Sequence, residues 1–160
     1  MNEDQMILLE KELYARLPYG IKGVASVKKL VETPDEDWFF TEKTVDIDAE
    51  LVEVKFNGSI VLNYNSDYVL EDYNYTLKDF KPYFRPMSSM TKEELKELRD
   101  IFNGEIDFGE WGLEILDSDF RNFSYLEICA IIDWLNIHHF DYRGLIKEGL
   151  ALVAPDGMYN

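Results

Sequence analysis

The chain has 160 residues, of which 46% are hydrophobic, so it is long and apolar enough to fold around a core and is not disordered. Its 32 acidic residues outnumber its 16 basic residues and give a net charge of −16. This balance argues against contact with nucleic-acid phosphates or with an anionic membrane surface, and it favours a basic partner or no partner at all.

Three features bear on the cellular setting. Cys129 is the only cysteine, so no internal disulfide can form and a reducing, cytoplasmic environment is expected. The first residues lack the basic start and apolar run of a signal peptide. No apolar run approaches the ~20 residues that a transmembrane helix needs, so a soluble protein is expected.

The chain opens with a predicted helix and two predicted strands. Apolar residues at helical spacing predict a helix over residues 3–17, which Pro18 ends. Apolar residues between positions 21 and 30 alternate imperfectly and predict a strand that begins near Gly23. Alternating apolar and acidic residues make 43–56 the clearest strand, and a phase slip near Leu51 indicates a β-bulge.

A turn and a proline-rich segment follow. Asn57 and Gly58 predict a tight hairpin with positive φ at both residues, and residues 59–64 return as the partner strand. Residues 68–77 are predicted to form one further strand. Residues 81–86 contain two prolines, so they are predicted to be an extended connector rather than a helix or a central strand.

The second half begins with a helix signal. Thr91 and Glu94 match a capping box and predict a helix that ends near residue 102. Short strands are predicted around residues 105–108 and 113–116, where apolar and acidic residues alternate.

An apolar helix dominates the rest of the chain. Ser124 and Glu127 form a second capping box, and the helix they open is apolar on nearly every side. It is therefore predicted to be buried at the centre of the second half. Asp141 is predicted to cap a short helix over residues 142–148, ahead of a last strand at 150–153.

These elements predict an α+β fold. An N-terminal helix and a small antiparallel sheet or partly open barrel would be followed by a helical second half around the buried central helix. A β-rich sub-region with the N-terminal helix is expected over residues 1–85, and a mainly helical one over 86–160, within one compact domain.

Several stretches carry a resemblance to a known family. They are residues 14–20, 81–90, 134–136, 138–146, 149–152 and 154–155. Together they resemble a family of uncharacterised proteins common in phages and mobile elements of gut Bacteroidetes. The resemblance implies a genomic setting but assigns no activity, so it transfers no catalytic residue.

The sharpest cluster for chemistry is His138, His139 and Asp141. Two histidines beside a carboxylate are suited to metal binding or to acid–base catalysis. Adjacent residues of a helix point ~100° apart, however, whereas two helical ligands of one metal sit at i and i+4. The structural alternative has Asp141 as a helix cap and the histidines bound to carbonyls at the end of the central helix. Cys129 is predicted to pack in the core, and no cofactor or metal is predicted.

An acidic stretch offers the alternative of a binding surface. Residues 100–119 contain seven acidic residues and neither Lys nor Arg. The predicted binding residues are Glu105, Asp107, Glu110, Trp111, Glu114 and Asp117. Carboxylates spaced along a rigid edge can imitate a phosphate backbone and enter the basic groove of a nucleic-acid-handling protein, with Trp111 as the buried anchor. The simpler interpretation is a solvated acidic face.

Function is therefore predicted by class only. The leading hypothesis is a non-enzymatic, acidic interaction module of a phage or mobile element that binds a basic partner and does not itself bind nucleic acid. The first alternative is a small metal-dependent or acid–base enzyme that uses His138, His139 and Asp141. The second alternative is a structural or assembly protein.

Overall fold

The computed structural model describes residues 1–32, 40–55, 57–64, 74–101, 106–109, 112–115 and 124–159. Its helices are α1 (Glu3–Arg16), α2 (Lys92–Ile101) and α3 (Tyr125–Ile137). Its strands are β1 (Ile21–Glu32), β2 (Phe40–Val54), β3 (Ser59–Asn63), β4 (Tyr75–Thr76), β5 (Phe80–Phe84), β6 (Ile106–Gly109), β7 (Gly112–Ile115) and β8 (Leu152–Val153). The chain divides into one unit of Met1–Tyr83 with Gly149–Leu152 and another of Phe84–Glu148 with Val153–Asn160. No helix among the described residues is long and apolar enough to cross a membrane.

Helix α1 forms as the sequence predicts. Asn2 accepts a hydrogen bond from the backbone N–H of Gln5, and the Gln5 side chain accepts one from the Asn2 N–H, which completes a capping box. Leu9 and Leu13, one turn apart, are fully buried. The helix tightens into a short 3₁₀ turn at Leu17–Tyr19, where a proline ends it.

The hairpin between β2 and β3 is confirmed, and its turn differs in detail. The β2–β3 register shifts between Leu51 and Glu53, which is the predicted bulge. Gly58 has φ +79°, but Asn57 is not left-handed, so only one residue of the pair needs positive φ. The turn is closed by the Gly58 N–H donating to the Lys55 carbonyl at 2.9 Å. Because the Lys55 N–H donates to the Ser59 carbonyl, three residues separate the paired positions, and a three-residue hairpin loop needs positive φ only at its last residue.

The prediction of a small antiparallel sheet or partly open barrel is wrong. The structure has a six-stranded mixed sheet in the order β4-β3-β2-β1-β5-β8. Its longest pairing is the antiparallel β1–β2 ladder, which joins Ile21 to Leu51 at one end and Glu32 to Phe40 at the other. The predicted strand over residues 68–77 is described from residue 74 onward, where it is the two-residue strand β4.

The prediction of an extended connector over residues 81–86 is also wrong, because the first part of this segment belongs to strand β5, inside the sheet. Pro82 lies opposite Gly23 in an antiparallel pairing with β1 that spans three residue pairs. A Cβ at Gly23 would lie 2.4 Å from the Lys81 carbonyl oxygen and 2.5 Å from the Phe80 ring. The missing side chain of Gly23 therefore permits the close approach, and the short pairing limits the loss that a proline causes in a ladder.

The predicted helical second half is contradicted. After residue 85 the described chain holds α2 and α3, but also the β6–β7 hairpin and strand β8. The expected helix over residues 142–148 is a series of turns. A cap signal starts a helix only where an apolar face then packs along it, and here the turns bury Leu145 and Leu150 without helical periodicity.

Both predicted capping boxes of the second half are present. The Glu94 N–H donates to the Thr91 hydroxyl at 3.2 Å, and the Thr91 N–H donates to the Glu94 carboxylate at 2.8 Å. Ser124 and Glu127 repeat the arrangement at the start of α3, with distances of 3.2 and 2.7 Å. The two hydrogen bonds from Ser124 lower the pKa of the Glu127 carboxyl.

Helix α3 is not buried on every side. Its second half contributes Ile131 and Leu135 to a core cluster with Leu98. Its first turn is open, however, with Tyr125 79% and Leu126 77% exposed. Residues four apart share a helix face, so one core can bury only a stripe, and apolar composition on the other faces does not produce burial.

Candidate functional site

A cleft of about 390 Å³ lies beside the first half of helix α1. Its lining residues are Glu3, Met6, Ile7, Glu10, Asn57, Gly58, Thr76, Leu77 and Lys78. They come from three parts of one unit: the helix, the β2–β3 turn, and the end of β4 with the 3₁₀ turn at Leu77–Asp79 that follows it. We name it the α1 cleft.

The helix wall of the α1 cleft is a single stripe. Glu3, Met6, Ile7 and Glu10 stand at i, i+3, i+4 and i+7, the spacing of residues that share one helix face. Two carboxylates therefore flank two apolar side chains, and they stand about 10 Å apart along the axis at 1.5 Å per residue. Ile7 is 43% exposed, so its side chain is accessible at the cleft.

The opposite wall is fixed by hydrogen bonds within the chain. The Asn57 side-chain oxygen accepts from the backbone N–H and from the hydroxyl of Ser59, at 3.0 and 2.6 Å. The Asp79 carboxylate accepts from the N–H and the hydroxyl of Thr76, both at 2.9 Å. These contacts shape the two turns without a ligand, as in a preformed binding site.

Three charged side chains line the α1 cleft: Glu3, Glu10 and Lys78. None of the ion pairs formed by the described residues includes Glu3, Glu10 or Lys78. The two carboxylates lie on the helix wall and the single ammonium on the other wall. The rim thus has one negative charge in excess.

The acidic residues of strand β2 behave differently. Asp46 accepts a hydrogen bond from the Ser26 hydroxyl at 2.6 Å on the neighbouring strand. Asp48 accepts one from the Tyr83 hydroxyl at 3.3 Å. Burial of Tyr83, and then the charge and hydrogen bond of Asp48, raise the pKa of the tyrosine hydroxyl. These carboxylates are used for cross-strand contacts within the sheet.

His139 has a structural role at the end of α3. It adopts φ +56°, a left-handed conformation that is uncommon outside glycine. Its N–H donates to the Asn136 carbonyl at 3.1 Å, and the next N–H, of Phe140, donates to the Leu135 carbonyl at 2.9 Å. This is the hydrogen-bond pattern of a Schellman motif, in which the left-handed residue ends the helix. The His139 ring also stacks on Tyr159, with centroids 3.8 Å apart.

His138 and Asp141 are likewise held by the backbone. The His138 Nδ1 atom lies 2.8 Å from the Trp134 carbonyl oxygen, a contact of the kind expected at a helix end. The two Asp141 carboxylate oxygens accept from the N–H groups of Leu145 and Ile146, at 2.7 and 2.8 Å. Within the described ranges, no three His, Cys, Asp or Glu side chains are grouped so as to hold a metal ion.

A partly buried ion pair, Arg85–Glu94, stands beside this segment. The Arg85 guanidinium donates to both oxygens of Glu94, at 2.6 and 2.9 Å, and lies 4.2 Å from the Phe140 ring centre. Burial of the Glu94 carboxyl opposes ionisation, but hydrogen bonds from Arg85 and Thr91 and the Arg85 charge outweigh it. The pKa of Glu94 is therefore lowered to about 2. This pair stabilises the start of α2.

The predicted acidic surface is described only in part. Glu105, Glu110, Trp111 and Asp117 lie outside the described residues. Asp107 and Glu114 are directly opposite each other in the antiparallel β6–β7 register. The hairpin thus brings two of the six predicted binding positions together.

Sequence reasoning missed the α1 cleft. The acidic–apolar–apolar–acidic spacing of Glu3, Met6, Ile7 and Glu10 is visible in the sequence, but it reads as an ordinary amphipathic helix. The opposite wall comes from segments about 50 and 70 residues further along the chain, and no local pattern joins them to α1.

No protein-family model matches the chain, and neither a curated protein nor a solved structure is significantly similar to it. The function must therefore be inferred from the geometry and charge of the chain itself.

Proposed function

We propose that this protein is a non-enzymatic interaction protein that binds a basic partner protein through the α1 cleft. The setting we propose is the cytoplasm, in a phage or mobile element, as the resemblance of the sequence implies. The partner is a protein that itself handles nucleic acid, since an acidic chain competes for the basic surfaces that bind phosphates.

One observation carries the proposal. The α1 cleft combines an apolar floor with two carboxylates of equal sign, and no ion pair among the described residues includes either of them. Interfaces of high affinity place an apolar or aromatic anchor in such a pocket, surrounded by polar groups that set specificity and the rate of encounter. A partner with an apolar side chain between basic groups complements it.

The acidic stretch over residues 105–117 is part of the same proposal as a second contact. Asp107 and Glu114 are paired positions in the antiparallel β6–β7 register, so two acidic residues occupy neighbouring positions on the two strands. A cationic partner complements two such charges. The net charge of −16 steers basic partners toward either surface.

The test is a capture experiment from host lysate at low and at physiological salt, read by mass spectrometry. Three variants accompany the wild-type chain. The cleft variant carries Glu3→Gln and Glu10→Gln, and the sheet variant carries Asp46→Asn and Asp48→Asn. The hairpin variant carries Glu105→Gln, Asp107→Asn, Glu110→Gln and Glu114→Gln.

The sheet variant is the matched control, because it removes the same number of charges as the cleft variant from the same unit. We expect to capture a basic protein that stays bound to the wild-type chain at physiological salt. It should not bind the cleft variant, and it should still bind the sheet variant. Loss with the hairpin variant would extend the interface to the second contact. Equal loss with the cleft and sheet variants would mean that net charge alone is sensed, and the proposal would be wrong.

A further inference from the structure

We infer that the occupant of the α1 cleft is an amphipathic basic helix of the partner, laid along α1. Its apolar residues pack on Met6, Ile7 and Leu77, and two basic residues seven positions apart face Glu3 and Glu10. This inference depends on the proposed function and names the kind of partner that the cleft accepts.

The residue spacing on α1 favours a helix as the occupant. Glu3 and Glu10 are separated by two helical turns, with the apolar pair one turn inward from each. A second helix alongside α1 repeats that spacing without distortion, since its own i and i+7 residues lie on one face with i+3 and i+4 between them. Recognition of an apolar helix face in a groove is a common binding mode.

The other common binding mode is the addition of a strand to a sheet edge. The strand beside the cleft is β4, which stands at the end of the sheet order but has only two residues, Tyr75 and Thr76. The Thr76 N–H and hydroxyl already donate to Asp79. Strand addition relies on a row of free backbone groups, and two residues cannot supply one.

The charges of the α1 cleft favour a basic helix over an acidic one. The helix wall carries Glu3 and Glu10, and the single Lys78 lies on the opposite wall. A basic helix gains contacts with two carboxylates and meets one repulsive ammonium. An acidic helix would meet the reverse. Removal of Glu10 and removal of Lys78 must therefore change affinity in opposite directions, which gives the proposal a sign that can be measured.

The probe is a labelled synthetic peptide of about 20 residues on an alanine background, long enough to be helical in water. The matched peptide has lysine at i and i+7 and leucine at i+3 and i+4. One control peptide has the same composition with the lysines on the opposite face. Another has the matched sequence with a central proline, which breaks the helix. Binding to the full chain is followed by fluorescence anisotropy.

We expect the matched peptide to bind at least tenfold more tightly than either control. Glu10→Gln should weaken it about threefold, as expected for one partly exposed charge pair, and Lys78→Gln should tighten it by a similar factor. Ile7→Ala should weaken it at least tenfold, because Ile7 is the exposed anchor of the cleft. Val52→Ala, another exposed aliphatic residue outside the cleft, is the matched control and should have no effect.

The outcomes separate this inference from the function on which it depends. Suppose that the captured basic protein needs the cleft carboxylates, but the matched peptide binds no better than its controls. The function would then stand, and the helical occupant would be wrong. If no captured protein depends on the cleft and the matched peptide also fails, both are wrong. Self-association of the chain that Ile7→Ala abolishes would make a second copy the occupant and overturn the inference.

Discussion

Two faces of helix α1 have the same residue spacing and opposite roles. The buried face consists of Leu9, Glu12, Leu13 and Arg16, and the cleft face of Glu3, Met6, Ile7 and Glu10. Each face places residues at i, i+3, i+4 and i+7 and contains two apolar and two charged side chains. The buried face joins opposite charges in an ion pair, whereas the cleft face presents two equal charges.

The difference shows how the fold treats charge. Glu12 and Arg16 are 1% and 0% exposed, and charges so deeply buried are tolerated only when they are paired. Glu3 and Glu10 need no partner in the fold because water can reach them. The opposite charges of Glu12 and Arg16 stabilise the folded chain. The two negative charges of Glu3 and Glu10, beside an apolar cleft, are suited to binding a basic partner. Substitutions on each face can test this division.

The largest effect is expected on the buried face. Glu12→Gln keeps the shape of the side chain but removes the charge that compensates the Arg16 guanidinium, and it should cost about 3 kcal/mol of unfolding free energy. Urea denaturation measures it. The double variant Glu12→Gln with Arg16→Met should recover most of the loss, because two neutral side chains pack without a buried charge. Equal midpoints for wild type and Glu12→Gln would contradict the role assigned to this pair.

The second largest effect is expected at Glu94. Its charge is paired with that of Arg85, and both residues lie in the unit that does not contain α1. The pKa of its carboxyl falls from 4.5 to about 2 on folding. A lowered folded-state pKa stabilises the protein above about pH 4.5, and this contribution is lost as the pH falls toward 2. Glu94→Gln should cost about 2 kcal/mol at neutral pH, a figure reduced for partial solvent screening, and should flatten that acid dependence.

Urea denaturation at a series of pH values checks the Glu94 prediction. Glu93→Gln, an exposed neighbour in the same helical turn, is the matched control and should leave both the stability and its acid dependence nearly unchanged. An unaltered slope between pH 4.5 and 2 in the Glu94→Gln variant would assign the acid dependence to other carboxyl groups.

The parts of the fold that the sequence predicts are those encoded locally. Ser124 with Glu127 marks a helix start within four residues, and the turn at Gly58 joins strands that are adjacent in the chain. Strand β5 could not be predicted this way. Its position depends on Gly23, about 60 residues earlier, which leaves room for the Phe80 ring. Proline rules alone gave the opposite answer.

The candidate site shows the same limit. The spacing of the cleft residues on α1 can be recognised in the sequence. Leu77 and the turn at Gly58 come to lie beside them only because β2, β3 and β4 pair as neighbouring antiparallel strands. The apolar composition of α3 also led to a wrong prediction, that the helix is buried on nearly every side. Composition indicates how much surface can be buried, but it does not show which neighbouring elements are present to bury it. Tyr125 and Leu126 stay exposed for that reason.

A smaller effect is expected on the solvent face of the sheet. Asp46→Asn weakens the hydrogen bond from Ser26 at an exposed position, and it should cost less than about 1 kcal/mol. A double-mutant cycle with Ser26→Ala isolates the coupling between the two side chains. A loss as large as that of Glu12→Gln would mean that the carboxylates of β2 are essential to the sheet and are unsuitable as a control for the cleft.

The smallest effect on stability is expected at the cleft, and this makes it the most informative. Glu10→Gln should change the unfolding free energy by no more than about 0.5 kcal/mol, because its charge has no ion-pair partner among the described residues. Removing one of two equal charges about 10 Å apart even relieves a weak repulsion, which salt screens. Urea denaturation at low and high salt tests this beside peptide binding. If Glu10→Gln leaves the unfolding free energy unchanged and weakens binding of the matched peptide, Glu10 acts in partner binding. A marked decrease in stability would instead show that Glu10, like Glu12, stabilises the fold.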